Sequence, residues 1–310
     1  MSIIKSHAAR RFLDLILAFS FCFSLAAGSQ AATAAQQPQP TLLLGIQNGL
    51  VKHNAVAVDN AAQALADFIG NAAGRRVTWE SNYTLADAGK PAGHGTHFDF
   101  VFSRPPNLTG GLLTKGWQLV AVAQSPMEFG IDLIAQPCPG KAGQVLLGGP
   151  TLEIMGVNDP APITCVPVAQ VWKSPAAILL TPARGSLVET VARKMWLEHA
   201  ASTPRMIDAK YQNAVSDFMR FTHACVIGAV TTYVSKNWKA EGGVVLAHQA
   251  MPFVAILAAP DTPADTVDKV RAALLSPGAA GVDKKLGLPG WKAGSPQPYL
   301  AFMQWLKAKA

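Results

Sequence analysis

The sequence predicts an α/β protein of two lobes, each a mostly parallel sheet flanked by helices. Three observations lead there. Short apolar runs bounded by Gly, Pro and Asn recur along the chain and alternate with amphipathic segments of helical period. The pattern breaks once, between Gln136 and Pro167, in a stretch rich in Gly and Pro, so that α/β units of similar size stand on either side. Beyond the N-terminal leader no run is long and apolar enough to span a bilayer.

The first thirty-one residues stand outside that pattern. Lys5, Arg10 and Arg11 form a basic start, Phe12 to Ala27 is mostly apolar around Asp14, and Ser29-Gln30-Ala31 supplies small residues for cleavage. This is the form of a secretory signal peptide over 1–31, followed by a polar, Pro-containing, disordered leader over 32–40. Phe21 before Cys22 does not fit a lipid-attachment site. An exported chain meets an oxidising compartment, where cysteines pair. Cys138 and Cys165 flank the Gly/Pro-rich stretch and are expected to form a disulfide, contributing roughly 3 kcal/mol by closing that loop. Cys225, in the apolar run HACVIG, reads as a buried thiol.

In chain order, Thr41 to Ile46 reads as a strand, with a turn over Gly45 to Gly49. Ala55 to Ala73 has Ala61, Ala62, Leu65 and Ile69 on one face and Gly74 as its stop, a helix. Arg75 to Glu80, Phe98 to Phe102 and Trp117 to Ala123 are three further strands. The segment from Pro175 to His199 is the best signalled of all. Ala176 to Leu180 is a buried strand, Thr181 to Gly185 a loop, and Ser186 with Glu189 a capping box. The helix that follows faces inward with Val188, Val191, Ala192 and Met195 and outward with Glu189, Arg193, Lys194 and Glu198. Arg205 to Asp208 is a short strand, and the helix from Tyr211 buries Val215, Phe218 and Met219. Ala224 to Ile227 reads as a strand and Gly228 to Trp238 as a helix. Phe253 to Ala258 is a strand, and Thr262-Pro263 opens a helix with Val267, Val270, Leu274 and Leu275 inward. Tyr299 to Leu306 is the last helix.

Ligands of open α/β sheets sit beyond the carboxyl ends of the strands. That places candidates at Gln47-Asn48, Asn82-Tyr83, Ser103-Arg104, Thr181 to Ser186 and Tyr211 to Asn213. A helix start beside a cation such as Arg184 is suited to an oxyanion. The chain has 26 Lys and Arg against 19 Asp and Glu, a formal +7 of which the leader holds three positive and one negative residue. The remaining bases are scattered, which argues against a nucleic-acid tract, while a mildly positive surface suits anionic solutes. His94 and His97 in GHGTH are spaced for a metal but lack a third ligand in view. His223 and Cys225 would share a strand face and read as core residues, as do Trp238 and Trp291 as packing residues. There is no G-x-S-x-G elbow, P-loop or G-x-G-x-x-G.

The order of pieces resembles the periplasmic solute-binding proteins of the phosphate/phosphonate ABC-transport type, which have the type II periplasmic-binding fold. The matching segments are the exported leader, TLLLGIQNG, FDFVFSRPP, AILLTPARGSLVETVARKMWLEH, YQNAVSDFMRFTHACVIGAVTTYV, PFVAILAAPDTPADTVDKVRAALLSP, LGLPGW and the terminal Tyr-containing helix. The resemblance implies lobes over 41–126 with 249–310 and over 127–248. It implies a small phosphate- or phosphonate-like anion held by Gln47, Tyr83, Ser103, Arg104, Thr181, Ser186 and Asn213, with Arg184 alongside. It further implies a periplasmic monomer that serves an ABC-transporter permease, with no cofactor, no metal and no enzymatic activity. Two other classes remain in view. One is an exported enzyme or thiol- or metal-dependent protein centred on His223/Cys225 or His94/His97. The other is a sensor or partner-docking module that uses 136–167.

Overall fold

In a computed structural model, residues 40–47, 55–82, 98–149, 161–209, 214–222 and 224–308 are described. The expected signal peptide and nearly all of the leader lie outside these residues, as do His94, His97 and His223. β1 (Leu42–Gln47), α1 (Ala55–Ala73), β2 (Val77–Asn82), β3 (Phe100–Ser103), α2 (Pro106–Leu113) and β4 (Gln118–Ala123) come first. β5 (Gly130–Ala135), β6 (Gln144–Gly149), β7 (Ala161–Pro167), β8 (Ile178–Thr181), α3 (Leu187–Leu197) and β9 (Arg205–Asp208) follow. Then come α4 (Ala214–Phe221), β10 (Ile227–Thr231), α5 (Thr232–Ala240), β11 (Val244–Ala250), β12 (Ala255–Ala258), α6 (Ala264–Leu274), α7 (Ala280–Leu286), β13 (Trp291–Lys292) and α8 (Gln297–Lys307).

The strands form two sheets and a ribbon. The first sheet has the order β13-β4-β12-β3-β1-β2 and the second β11-β5-β10-β8-β9. β1, β2, β3 and β4 share one direction, with β12 and β13 reversed; β8, β9, β10 and β11 share one direction, with β5 reversed. The predicted α/β class with mostly parallel sheets is what the chain adopts. In each sheet the reversed inner strand is the one that arrives from the other sheet: β5 enters after β4, and β12 enters after β11. The two crossings, Gln124–Phe129 and Met251–Val254, run side by side. The Ala123 amide donates to Val254 O and the Met251 amide to Phe129 O, both at 2.8 Å.

The cores follow the sequence periodicity. Ala61, Ala62, Leu65 and Ile69 of α1 are buried against Leu44, Ile46, Phe100 and Phe102 of the first sheet. Val188, Val191, Ala192 and Met195 of α3 are buried against Leu133, Leu179 and Ile227 of the second. Gly74, at φ 66°, ends α1 in the left-handed conformation that glycine adopts without a Cβ clash. Three single-residue expectations fail for physical reasons. Glu189 and Lys194, on the expected outer face of α3, are buried because each has a backbone partner: Gly185 N donates to the Glu189 carboxylate, and Lys194 Nζ donates to Ala308 O at 2.7 Å. Leu275 lies past the end of α6 and is exposed. Gly228 to Thr231, expected in a helix, is the buried strand β10, and the helix starts at Thr232.

The Gly/Pro-rich stretch folds into the β6–β7 ribbon, with Cys138 and Cys165 joined by the expected disulfide. Gly148 of β6 bridges to Cys225, which holds the ribbon against the segment leading into β10. Cys225 is buried, its Sγ 3.8 Å from Gln136 Oε1, and burial raises its thiol pKa. Trp238 is buried with Nε1 donating to Ala135 O, and Trp291 packs edge-on to Phe102.

Candidate functional site

The carboxyl ends of β1, β2 and β3 lie in register. Gln47 pairs with Asn82 on one side and Ser103 on the other, and the Arg104 amide donates to Gln47 O at 3.0 Å. Parallel pairing thus brings the ends of these strands together, with Ser81 in register with Ile46 and Phe102 on one face and Gln47 in register with Ser103 on the other. Each end carries a buried polar atom with no hydrogen-bond partner among the described residues: Ser81 Oγ, Gln47 Nε2 and Arg104 Nε. Gln47 is 2% exposed. Asn107, in the first turn of α2, leaves Oδ1 in the same condition. Buried groups in this state cost free energy, and Asp283 Oδ1 and Trp291 Nε1 share the condition elsewhere, so it is the charge on Arg104 that distinguishes these strand ends.

Arg104 is the strongest of these groups. Its guanidinium stacks over Phe102, 5.5 Å from the ring centroid, and one terminal nitrogen donates to Leu286 O at 3.0 Å. Burial lowers its pKa, and the Tyr233 phenol opposes that shift. No carboxylate pairs with it among the described residues. Tyr233 lies in the first turn of α5, and its Oη is 2.9 Å from Ser125 Oγ on the outgoing crossing. Its ring leans on Phe129, which packs on Phe253 of the returning crossing. No side chain caps the start of α5, although Thr231 and Thr232 stand there, and Thr232 Oγ1 accepts from Gly130 N at 3.2 Å. Arg104 thus stands as a largely buried cation just past β3, and α5 begins without a side-chain cap, two features that each favour negative charge beside them.

The other expected residues fall out as follows. Ser103 is wholly buried; its hydroxyl accepts from Thr109 Oγ1 at 2.8 Å and donates to Pro105 O at 3.2 Å. Thr181 is buried, with its hydroxyl 3.4 Å from Ile207 O. Ser186 caps α3 by accepting from Glu189 N at 3.1 Å. The Glu189 carboxylate accepts from Gly185 N and is held by Arg193 at 2.7 Å, so a residue of the chain already supplies negative charge at this helix start. Arg184 is exposed there. Tyr83 and Asn213 lie outside the described residues. Thr231, Thr232 and Tyr233 are not among the residues the sequence singles out, because Gly228 to Trp238 reads as one helix. The signal was the β-branched Thr-Thr pair closing the run IGAV.

A second polar cluster lies where β5 and β11 meet the crossings. Asp132, 1% exposed, accepts from Ser235 Oγ and has His248 Nδ1 2.6 Å from its other oxygen, while His248 Nε2 lies 3.4 Å from Glu128. The serine here bonds to the aspartate rather than to the imidazole, so nothing in the cluster activates it as a nucleophile. Among the described residues no three His, Cys, Asp or Glu side chains could hold a metal, and no helix is long and apolar enough to cross a membrane.

No protein-family model and no curated protein matches the chain. Solved structures do match. XAC2383 from Xanthomonas citri bound to ATP is 11% identical, over 86% of this chain and 97% of that one, at a TM-score of 0.59. The same protein bound to chloride ion is 12% identical at a TM-score of 0.59. PhnD1 from Prochlorococcus marinus in complex with methylphosphonate is 9% identical, over 86% and 96%, at a TM-score of 0.53. The chain has the two-lobed type II periplasmic-binding fold. The strand ends bearing Gln47 and Arg104 belong to the first sheet, and α5 follows β10 of the second.

Proposed function

We propose that this chain is an exported, periplasmic solute-binding protein, with lobes at 41–126 with 249–310 and at 127–248. It captures a small anion between them for a membrane transporter, with an ABC-type permease as the partner. One observation carries the reading: among the described residues Arg104 is a largely buried cation without a carboxylate, its Nε unsatisfied. An unbalanced buried charge is costly to hold, and a guest that brings the opposite charge removes the cost. Closure of the lobes about Gln124–Phe129 and Met251–Val254 would then desolvate the guest and strengthen each contact. The fold shared with a methylphosphonate-bound protein supports a tetrahedral oxyanion as the first guest to try.

The test is thermal unfolding of the mature chain against inorganic phosphate, methylphosphonate, phosphite, sulfonates and carboxylates. An anion at a hundred times its Kd stabilises by about 2.7 kcal/mol. A response to phosphate or a phosphonate that is lost with Arg104 supports the reading. No response to any of them overturns it.

A further inference from the structure

Beyond the two crossings, a third element joins the two sheets: the C-terminal helix α8. Its first half docks on the first sheet. Tyr299 is buried with Phe98, Val101, Leu108 and Leu257, and its hydroxyl donates to Phe253 O on the returning crossing at 2.7 Å. Gly110 of α2 lets α8 approach closely, since a Cβ there would collide with Met303 Cγ and come within 2.9 Å of Tyr299 O. The second half docks on the second sheet. Phe302 is buried with Ile131, Val191 and Met251, and Trp305 and Leu306 pack at the same cluster's edge. Trp305 stacks on Phe302 at 5.8 Å and donates from Nε1 to Glu198 Oε1 at 2.6 Å, and Lys194 Nζ lies 5.8 Å from the Trp305 ring centroid. Lys194 Nζ also donates to Ala308 O at 2.7 Å.

A helix of eleven residues is thus anchored in both hydrophobic cores, three residues apart along its length. Two loop crossings alone leave a hinge free to open, because a few loop residues absorb large dihedral changes at little cost. A rigid rod pinned on both sides cannot follow that rotation without giving up one set of contacts. We propose that α8 is a strap that limits how far the lobes open, and that the Trp305–Glu198–Lys194 cluster is its releasable end. The releasable end is the second-lobe end, where Trp305 is half-buried and Glu198 exposed, whereas Tyr299 is fully buried. The proposal rests on the two-lobe reading of the chain and is independent of which solute the cleft takes.

The experiment needs no ligand. Small-angle scattering and amide hydrogen exchange are measured on the ligand-free protein and on Trp305→Ala, with Glu198→Gln as the mild variant that keeps the apolar packing. A strap predicts a larger radius of gyration for Trp305→Ala and exchange about tenfold faster at the Met251 and Ala123 amides, with smaller changes of the same sign for Glu198→Gln. Trp305→Phe, which keeps the stacked ring, should restore the wild-type radius. Folded variants with unchanged radius and unchanged exchange at those amides would overturn the strap. Loss of anion binding with these results intact would instead count against the solute reading alone.

Discussion

Replacing Arg104 by methionine should make the ligand-free protein slightly more stable while abolishing its response to anions. The two signs together set a site residue apart from a structural one. In the folded chain the guanidinium forms one charge-assisted bond to Leu286 O and lies over the Phe102 ring. Losing the bond costs about 1.5–3 kcal/mol, and losing the ring contact costs about 0.5–1 kcal/mol. Against this, the cation is largely withdrawn from water with no carboxylate to balance it among the described residues, a penalty of several kcal/mol that an apolar side chain of similar length does not incur. The net expectation is a gain of about 1 kcal/mol, or a rise of roughly 2–4 °C in Tm for a chain of this size. In the complex, the same change leaves the guest's charge unmatched at a loss of about 3 kcal/mol, which is roughly 150-fold in Kd. Thermal unfolding with and without inorganic phosphate or methylphosphonate reads both numbers. A variant that melts well below wild type yet keeps its shift with anion would refute the reasoning and make Arg104 a structural cation.

Three further outcomes are expected elsewhere in the chain. Tyr233→Phe keeps the ring on Phe129 but loses the hydroxyl bond to Ser125, so stability should change by no more than about 1 kcal/mol while anion affinity falls several-fold in a titration. Asp283 has its pKa raised above 3.8 by burial, with Trp291 opposing. The folded state holds that proton more tightly than the unfolded one, so this carboxyl withdraws stability as pH rises from about 4 through its folded pKa, and the loss persists above it. Asp283→Asn should therefore melt higher than wild type at pH 7, with the difference closing near pH 3, and a constant difference across that range would contradict the assignment. Cys138→Ser opens a loop whose ends are 27 residues apart and should cost about 3.5 kcal/mol in denaturant unfolding, a loss that reductant reproduces in the wild type.

The helix over 55–73 was legible in the sequence to the residue, because apolar side chains at 3.6-residue spacing and a terminal glycine leave one reading. The strand at Arg205 to Asp208 and the cap at Ser186 were equally local. Arg104 was legible too, since it follows a strand directly. β10 and β11 were not: an apolar run such as IGAV reads alike in a helix or a buried strand, and only pairing with β5 and β8 decides between them. For the same reason Thr231, Thr232 and Tyr233 went unnoticed as the end of a strand and the start of a helix.

By itself the sequence determined what short-range forces decide: the α/β alternation, the inward faces of the helices, the pair of cysteines around one loop, and a cation just past the end of a strand. Tertiary structure alone decided what depends on residues far apart in the chain. It inserted β5 and β12 into the opposite sheets, left Arg104 without a carboxylate among the described residues, and filled the α3 start with Glu189. The reason is one of range. Periodicity and capping act within a turn or two of the chain, whereas whether a charge is balanced depends on whatever the fold carries up to it.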